Sequence, residues 1–305
     1  MIGRAGLACL LLCGLAWAQA DFVDQVHAAA SRGDYAGADR MVDAYRKQHG
    51  DVATVALAVS WEGRAALAAK QYDRAATYAD WTHKLAGQLL KTRRLDAEPE
   101  LPLALGASIE VHAQAMAAQG EISSAVGYLQ TELQTYARTS IVERISKNIN
   151  LLSLKGKPAP PLTASEWIGT KPPSLADLKG KPVLVFFWAH WCPDCKEQAP
   201  LLGSLAQRYA SKGLVVLAPT RYYGYVEAGK DASPKEEKRY IESIRNRYYS
   251  MLSAAPVPVS NSIFETYGCS STPTLALIDK KGIVHWYHPG TATEAELVRE
   301  IEAVL

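Results

Sequence analysis

From Asp21 to about Leu154, apolar residues recur at helical spacing in a segment rich in Ala, Leu, Gln and Arg. Beyond it the pattern changes. VLVFFW (183–188) is a wholly apolar run, as suits a strand buried on both faces. The next stretch predicts a helix from Pro193 to about Ala210, then a second buried strand at LVVLAP (214–219). Ser233-Pro234-Lys235-Glu236 is a capping box with proline at the first helical position, opening a helix to about Leu252. TLALID (274–279) and IVHWYH (283–288) read as strands joined by a Lys280-Lys281-Gly282 turn, and Glu294 to Val304 as a closing helix. The order β-α-β-α-β-β-α predicts an α/β sheet with helices on both faces, behind an all-α domain.

Lys155-Gly156-Lys157-Pro158-Ala159-Pro160-Pro161 separates the two patterns. Its prolines cannot continue a helix and favour extended chain, which sets domains at 21–154 and 155–305. Within the helical half GDYAGA (33–38), KQYDRA (70–75) and QGEISSA (119–125) echo one another, each placing Tyr or Ile three residues before an Ala. The echo resembles irregular tetratricopeptide-type helical hairpins. Either a partner-binding solenoid or a plain helical bundle fits it, and Trp61, Tyr72, Tyr78 and Trp81 read as core in preference to a groove lining.

The chain has 305 residues, enough for two cores, and its net charge of +2 comes without a long run of one sign. Nothing here supports nucleic-acid binding. Residues 1–20 read as a cleaved export signal: Arg4, then LACLLLCGLAW, then a small-x-small site ending at Ala18 or Ala20. That apolar stretch falls short of the roughly 20 residues a spanning helix needs, so membrane association is not required and an exported, periplasmic protein is expected. Cleavage would remove Cys9 and Cys13 and leave Cys192, Cys195 and Cys269.

Cys192 and Cys195 lie where a buried strand meets a helix, the strand end at which reactive groups gather in open α/β sheets. A helix N-terminus favours a thiolate at Cys192, and Cys195, one turn on, lies within reach of a disulfide. Zinc is the rival, but there is one such pair, and neither His190 nor His285-x-x-His288 completes a familiar ligand spacing. Inert core thiols are the other reading. The spacing at a helix mouth favours redox chemistry, with no metal or cofactor.

GKPAPPL, then SLADLKGKPVLVFFWAHWCPDC, then YGCSSTPTLALIDKKGIV is similar to the TlpA/ResA-like thioredoxin-fold thiol-disulfide oxidoreductases, over roughly Lys155 to Leu305. The resemblance implies Cys192 as exposed nucleophile, Cys195 as resolving cysteine, Trp191 flanking their disulfide and Pro273 as a cis-proline. Thr272 would then face the cysteines as a substrate-pairing edge. Pro193, Asp194 and His190 are the residues expected to tune the potential. Two positions depart from the family: Phe186 stands where thioredoxin-like proteins often bury Asp, and Gln198 where relatives commonly carry Glu. Glu197 is about 100° round the helix and no automatic substitute. Cys269, four residues before Pro273, is expected near the pair, as a core residue or a third redox thiol. Tyr222, Tyr223 and Tyr225 read as a substrate groove or as loop packing.

The expected function is an exported reductase of protein disulfides, drawing on an upstream electron donor, with the helical half positioning a partner. The competing readings are a non-catalytic partner-binding protein with a thioredoxin-like scaffold, and a thiol peroxidase, whose usual Thr/Pro-preceded cysteine loop is absent.

Overall fold

The computed structural model describes residues 21–305; the export-signal reading, Cys9 and Cys13 lie outside them. Two compact units part between Asn148 and Ile149.

The first unit is helical: α1 (residues 21–31), α2 (Tyr35–His49), α3 (Ala53–Ala68), α4 (Tyr72–Leu89), α5 (Glu100–Ala118) and α6 (Ile122–Thr135). A further helix, α7 (Val142–Ser153), carries the chain into the second unit. The echoed segments are the turns that open α2, α4 and α6. Gly33, Lys70 and Gly120 take left-handed φ of 81°, 58° and 94°. The following residue then donates its N–H five residues back: Asp34 to Ala29, Gln71 to Ala66 and Glu121 to Met116, at 2.9–3.0 Å. Each is a Schellman stop that satisfies carbonyls the helix end leaves free. Ala38, Ala75 and Ala125, the alanines that recur in the echo, are wholly buried. Trp61, Tyr72 and Trp81 pack as partly buried members of this core, and Tyr78 is buried in it.

The second unit is α/β. Its main sheet runs β3 (Val215–Leu217), β2 (Val183–Phe187), β5 (Thr274–Ile278), β6 (Val284–Pro289), with β2–β3 parallel and the other pairings antiparallel. Strand alternation divides the core. Leu184 and Phe186 of β2 and Leu275 and Leu277 of β5 face a cluster that takes in α8 (Pro193–Tyr209), α9 (Pro234–Tyr248) and α11 (Glu294–Glu302). Val183, Val185 and Phe187, with Ala276 and Ile278, face α10 (Asn261–Tyr267). The capping box at Ser233 and Glu236 forms with both of its reciprocal bonds, and a second one, Thr293 with Glu296, opens α11.

The element order differs from the sequence expectation in three places. β1 (Glu166–Ile168) and β4 (Val257–Val259) form a separate two-stranded antiparallel sheet, and α10 is a further helix absent from the expected order. EWI and VPV are too short to carry a period. The prolines at 158–161 are extended, but they are part of the second unit: Gly156 and Ala159 donate to Val284 and Gly282 along the edge of β6.

Candidate active site

The end of β2 is tied to the end of β3. Trp188 donates its backbone N–H to Pro219 (3.2 Å) and its indole N–H to Ala218 (2.8 Å), while the Thr220 hydroxyl donates to the Trp188 carbonyl (2.8 Å). A tight turn comes next, closed by Cys192 N–H donating to Ala189 O at 3.1 Å, and Cys192 becomes the N-cap of α8. Cys192 and Cys195 are joined in a disulfide, their Cα atoms 5.3 Å apart. The Cys195 N–H donates to Cys192 Sγ at 3.1 Å, so a first-turn amide already points at the sulfur that would carry charge on reduction. Pro193 opens the helix, where its missing N–H costs nothing. Asp194 beside it is exposed.

The Thr272–Pro273 bond is cis, and Thr272 O lies 3.3 Å from Cys192 Sγ. The expectation of an exposed Cys192 is corrected here. In the disulfide Cys192 is only 1% exposed, because the Thr272 carbonyl and the Ala189–Cys192 turn cover it, while Trp191 alongside is 44% exposed. Cys195 is fully buried. Cys269 does not pack with the pair. It packs in the α10 cluster, whereas Cys192 and Cys195 belong to the cluster on the opposite face of the sheet. It is buried as a small core residue.

The two departures from the family pattern have structural accounts. Phe186 is an apolar core residue, its ring 6.2 Å from that of Tyr249. Gln198 uses both ends of its amide on one residue, donating to Ala292 O (3.1 Å) and accepting from Ala292 N–H (2.8 Å). An ionised glutamate has no proton to donate there.

A buried carboxylate is nevertheless present, from a residue outside the sequence-predicted site. Glu237, in the first turns of α9, accepts from His190 Nε2 (3.2 Å), Tyr223 N–H (2.6 Å) and Gly224 N–H (2.8 Å). Both side chains of the His190–Glu237 pair are 1% exposed. Burial outweighs the carboxylate and holds His190 below its ordinary value, so at neutral pH it is an uncharged imidazole donating to Glu237. Tyr223, Tyr225 and Tyr240 meet the imidazole edge-on, with centroids 5.3–5.6 Å away. Tyr222 turns elsewhere and donates to Glu166 on β1 at 2.9 Å. The only signal for Glu237 in the sequence is its place one residue past the capping box, on the inward side of an amphipathic helix.

Among the described residues no cluster of three or more His, Cys, Asp or Glu side chains is placed to hold a metal ion. No helix among them is long and apolar enough to cross a membrane.

Residues 154–305 match the redoxin family. The thioredoxin-like protein YneN of Bacillus subtilis is 29% identical over 149 residues, 48% of this chain and 79% of its own length. The thiol-disulfide oxidoreductase ResA of Bacillus anthracis is 30% identical over 142 residues, 47% of this chain and 73% of its own length. A solved structure of a putative thiol:disulfide interchange protein, DsbE, from Chlorobium tepidum is 24% identical, covering 49% of this chain and 96% of that one with a TM-score of 0.38. A disulfide whose first cysteine caps a helix, the carbonyl of the residue before a cis-proline against that cysteine's sulfur, and the YneN and ResA relatives agree: through its C-terminal half the chain belongs to the redoxin family, as a thioredoxin-fold thiol-disulfide oxidoreductase.

Proposed function

We propose that the protein is an exported reductase of protein disulfides in which Cys192 attacks and Cys195 resolves. The observation that carries the reading is the Cys192 sulfur held between the Cys195 N–H and the Thr272 carbonyl, beside an exposed Trp191. In the reduced protein the Cys192 thiolate attacks one sulfur of a substrate disulfide and expels the other as a thiolate, forming a mixed disulfide. The Cys195 thiol loses its proton to solvent or base and its sulfur attacks Cys192 Sγ. The second substrate thiol leaves, and the Cys192–Cys195 disulfide is restored. Two electrons pass to the substrate, and an upstream dithiol donor must return them. The N–H of Cys195 and the α8 N-terminus stabilise the attacking thiolate. The Thr272 backbone before the cis-proline is read as the edge on which an extended polypeptide substrate pairs.

The exported location rests on the leader pattern in residues 1–20. The helical half, built from repeated Schellman-stopped hairpins, is read as the part that positions a partner. Dithiothreitol-driven insulin reduction tests the core claim. Wild type is expected to reduce insulin and Cys192→Ala to lose all activity above buffer, while Cys195→Ser accumulates a mixed disulfide. A wild type inactive on every protein disulfide tried would return the thioredoxin-like half to a scaffold role.

A further inference from the structure

Glu237 on α9 makes three hydrogen bonds to two other pieces of chain beside the disulfide. One is the turn before Cys192, through His190; the other is the loop after β3, through the backbone N–H groups of Tyr223 and Gly224. Two backbone hydrogen bonds to one buried carboxylate, itself tied to His190, fix that loop far more firmly than loop packing alone. The consequence is geometric. Tyr223 is held with its ring edge-on to Trp191, 5.4 Å between centroids and 83° between planes. The Arg221 guanidinium lies 5.3 Å from the Tyr223 ring. Trp191 is the most exposed aromatic next to the pair, and Tyr223 turns that single ring into a two-ring wall.

We propose that Trp191 and Tyr223 form a subsite for a bulky apolar or aromatic side chain of an extended polypeptide, two residues from its target cysteine, and that Glu237 and His190 are the residues that position it. This rests on the exchange reading above and adds its specificity. The register follows from strand geometry. In an extended chain the side chains of residues i and i±2 share a face, roughly 6–7 Å apart, while i±1 points away. A cysteine aimed at Cys192 therefore presents its second neighbours, not its first, to rings flanking Cys192. Two aromatic faces meeting at an edge suit an aromatic or branched apolar group.

The test uses the reduced full-length protein and three capped peptides: Tyr-Gly-Cys-Gly-Tyr, Ser-Gly-Cys-Gly-Ser and the shifted Gly-Tyr-Cys-Tyr-Gly. Each carries its cysteine as a mixed disulfide with 5-thio-2-nitrobenzoate. Thiolate attack by Cys192 on the peptide sulfur releases the coloured nitrothiobenzoate thiolate, and Cys195 then displaces the peptide thiol, so one coloured ion marks one exchange. Rates are divided by the rate with Ellman's reagent, which reports thiolate reactivity without a peptide. Wild type is expected to favour the first peptide over the serine peptide by about tenfold, with the shifted peptide close to serine. Tyr223→Ala should bring the ratio to within about twofold of one, and Tyr223→Phe should keep it. Glu237→Gln should lose part of it through the loosened loop. Equal wild-type rates for the three peptides, or an undiminished ratio in Tyr223→Ala, would overturn the subsite while leaving exchange intact. A wild type that attacks neither peptides nor Ellman's reagent would overturn the exchange reading as well.

Discussion

The Gln198 side chain closes a two-bond pair with the backbone of Ala292, giving a proton to its carbonyl and taking one from its N–H. Gln198 is buried, and the pair fastens α8 to the segment that leads into α11. The position where relatives commonly carry an acid has thus been turned to structure.

Gln198→Glu should therefore destabilise the protein. At neutral pH a carboxylate would face the Ala292 carbonyl with no proton to share, leaving a buried acceptor unpaired at a cost of about 1–3 kcal/mol. The loss should shrink in acid, because a protonated glutamate restores the donor. Denaturant unfolding of both proteins at pH 7 and pH 4.5 checks this. A variant as stable as wild type at pH 7 would mean the pair contributes nothing.

Glu62 on α3 presents the opposite problem. It is wholly inaccessible, and neither carboxylate oxygen has a hydrogen-bond partner among the described residues, while the Tyr78 hydroxyl goes instead to Asp39 at 3.1 Å. Burial first, then the charges of Asp39 and Asp43, push Glu62 from an ordinary 4.5 up to about 9. The folded protein therefore holds a proton there that the unfolded chain releases. Stability is fullest below about pH 4.5 and is lost as pH rises toward 9. Glu62→Gln removes that loss and should stabilise the protein by about 2–4 kcal/mol at pH 8, with no gain at pH 4. Thermal melts across that range decide it, and a gain independent of pH would exclude titration as the cause.

The three Schellman stops make a matched series. Gly33 and Gly120 adopt the left-handed turn without a Cβ, while Lys70 adopts it at φ 58° with one. A Cβ built on Gly33 or Gly120 meets nothing within 4 Å, so only the backbone preference distinguishes the sites. Lys70→Gly should stabilise by about 0.5–1 kcal/mol, and Gly33→Ala and Gly120→Ala should each cost about 1 kcal/mol. Equilibrium unfolding measures all three, and a Lys70→Gly that lowers the midpoint would show that the lysine side chain stabilises the turn by other contacts.

What the sequence made legible was whatever repeats or sits at an end. The unbroken apolar run Val183–Phe187 reads directly as a strand buried on two faces, the Ser233 capping box as a helix start, and the echoed segments as equivalent turns. Cys192 and Cys195 were readable because their spacing at a strand–helix junction leaves few other uses. The pieces that escaped depend on residues far apart in the chain. β1 and β4 form only by pairing Glu166–Ile168 with Val257–Val259. Nothing near Gln198 announces Ala292, and nothing near His190 announces Glu237. Cys269 closely precedes Pro273, which suggests a place beside the pair, but chain proximity does not say which face of a sheet a side chain enters.

The direction of exchange turns on the charge around Cys192. A disulfide is a strong oxidant when the protein stabilises the reduced thiolate, so any anion near that sulfur pushes toward reductase behaviour. Asp194 supplies one on the first turn of α8, partly offsetting the helix N-terminus. His190 does not counter it, since burial keeps its imidazole uncharged at neutral pH, with its Nε2–H donating a hydrogen bond to Glu237. Because Asp194 is exposed, solvent and salt screen its field and the effect is modest. Asp194→His should raise the potential by about 10–20 mV at low ionic strength and by less at high salt. Equilibration with glutathione buffers, followed by the fluorescence of Trp188 and Trp191, gives both values. A wild-type potential near about −120 mV, where the most oxidising disulfide enzymes lie, would rule out the reductase direction. A variant whose potential does not move at low salt would instead remove Asp194 from the explanation and leave the Cys195 amide and the helix terminus to set the thiolate's energy between them.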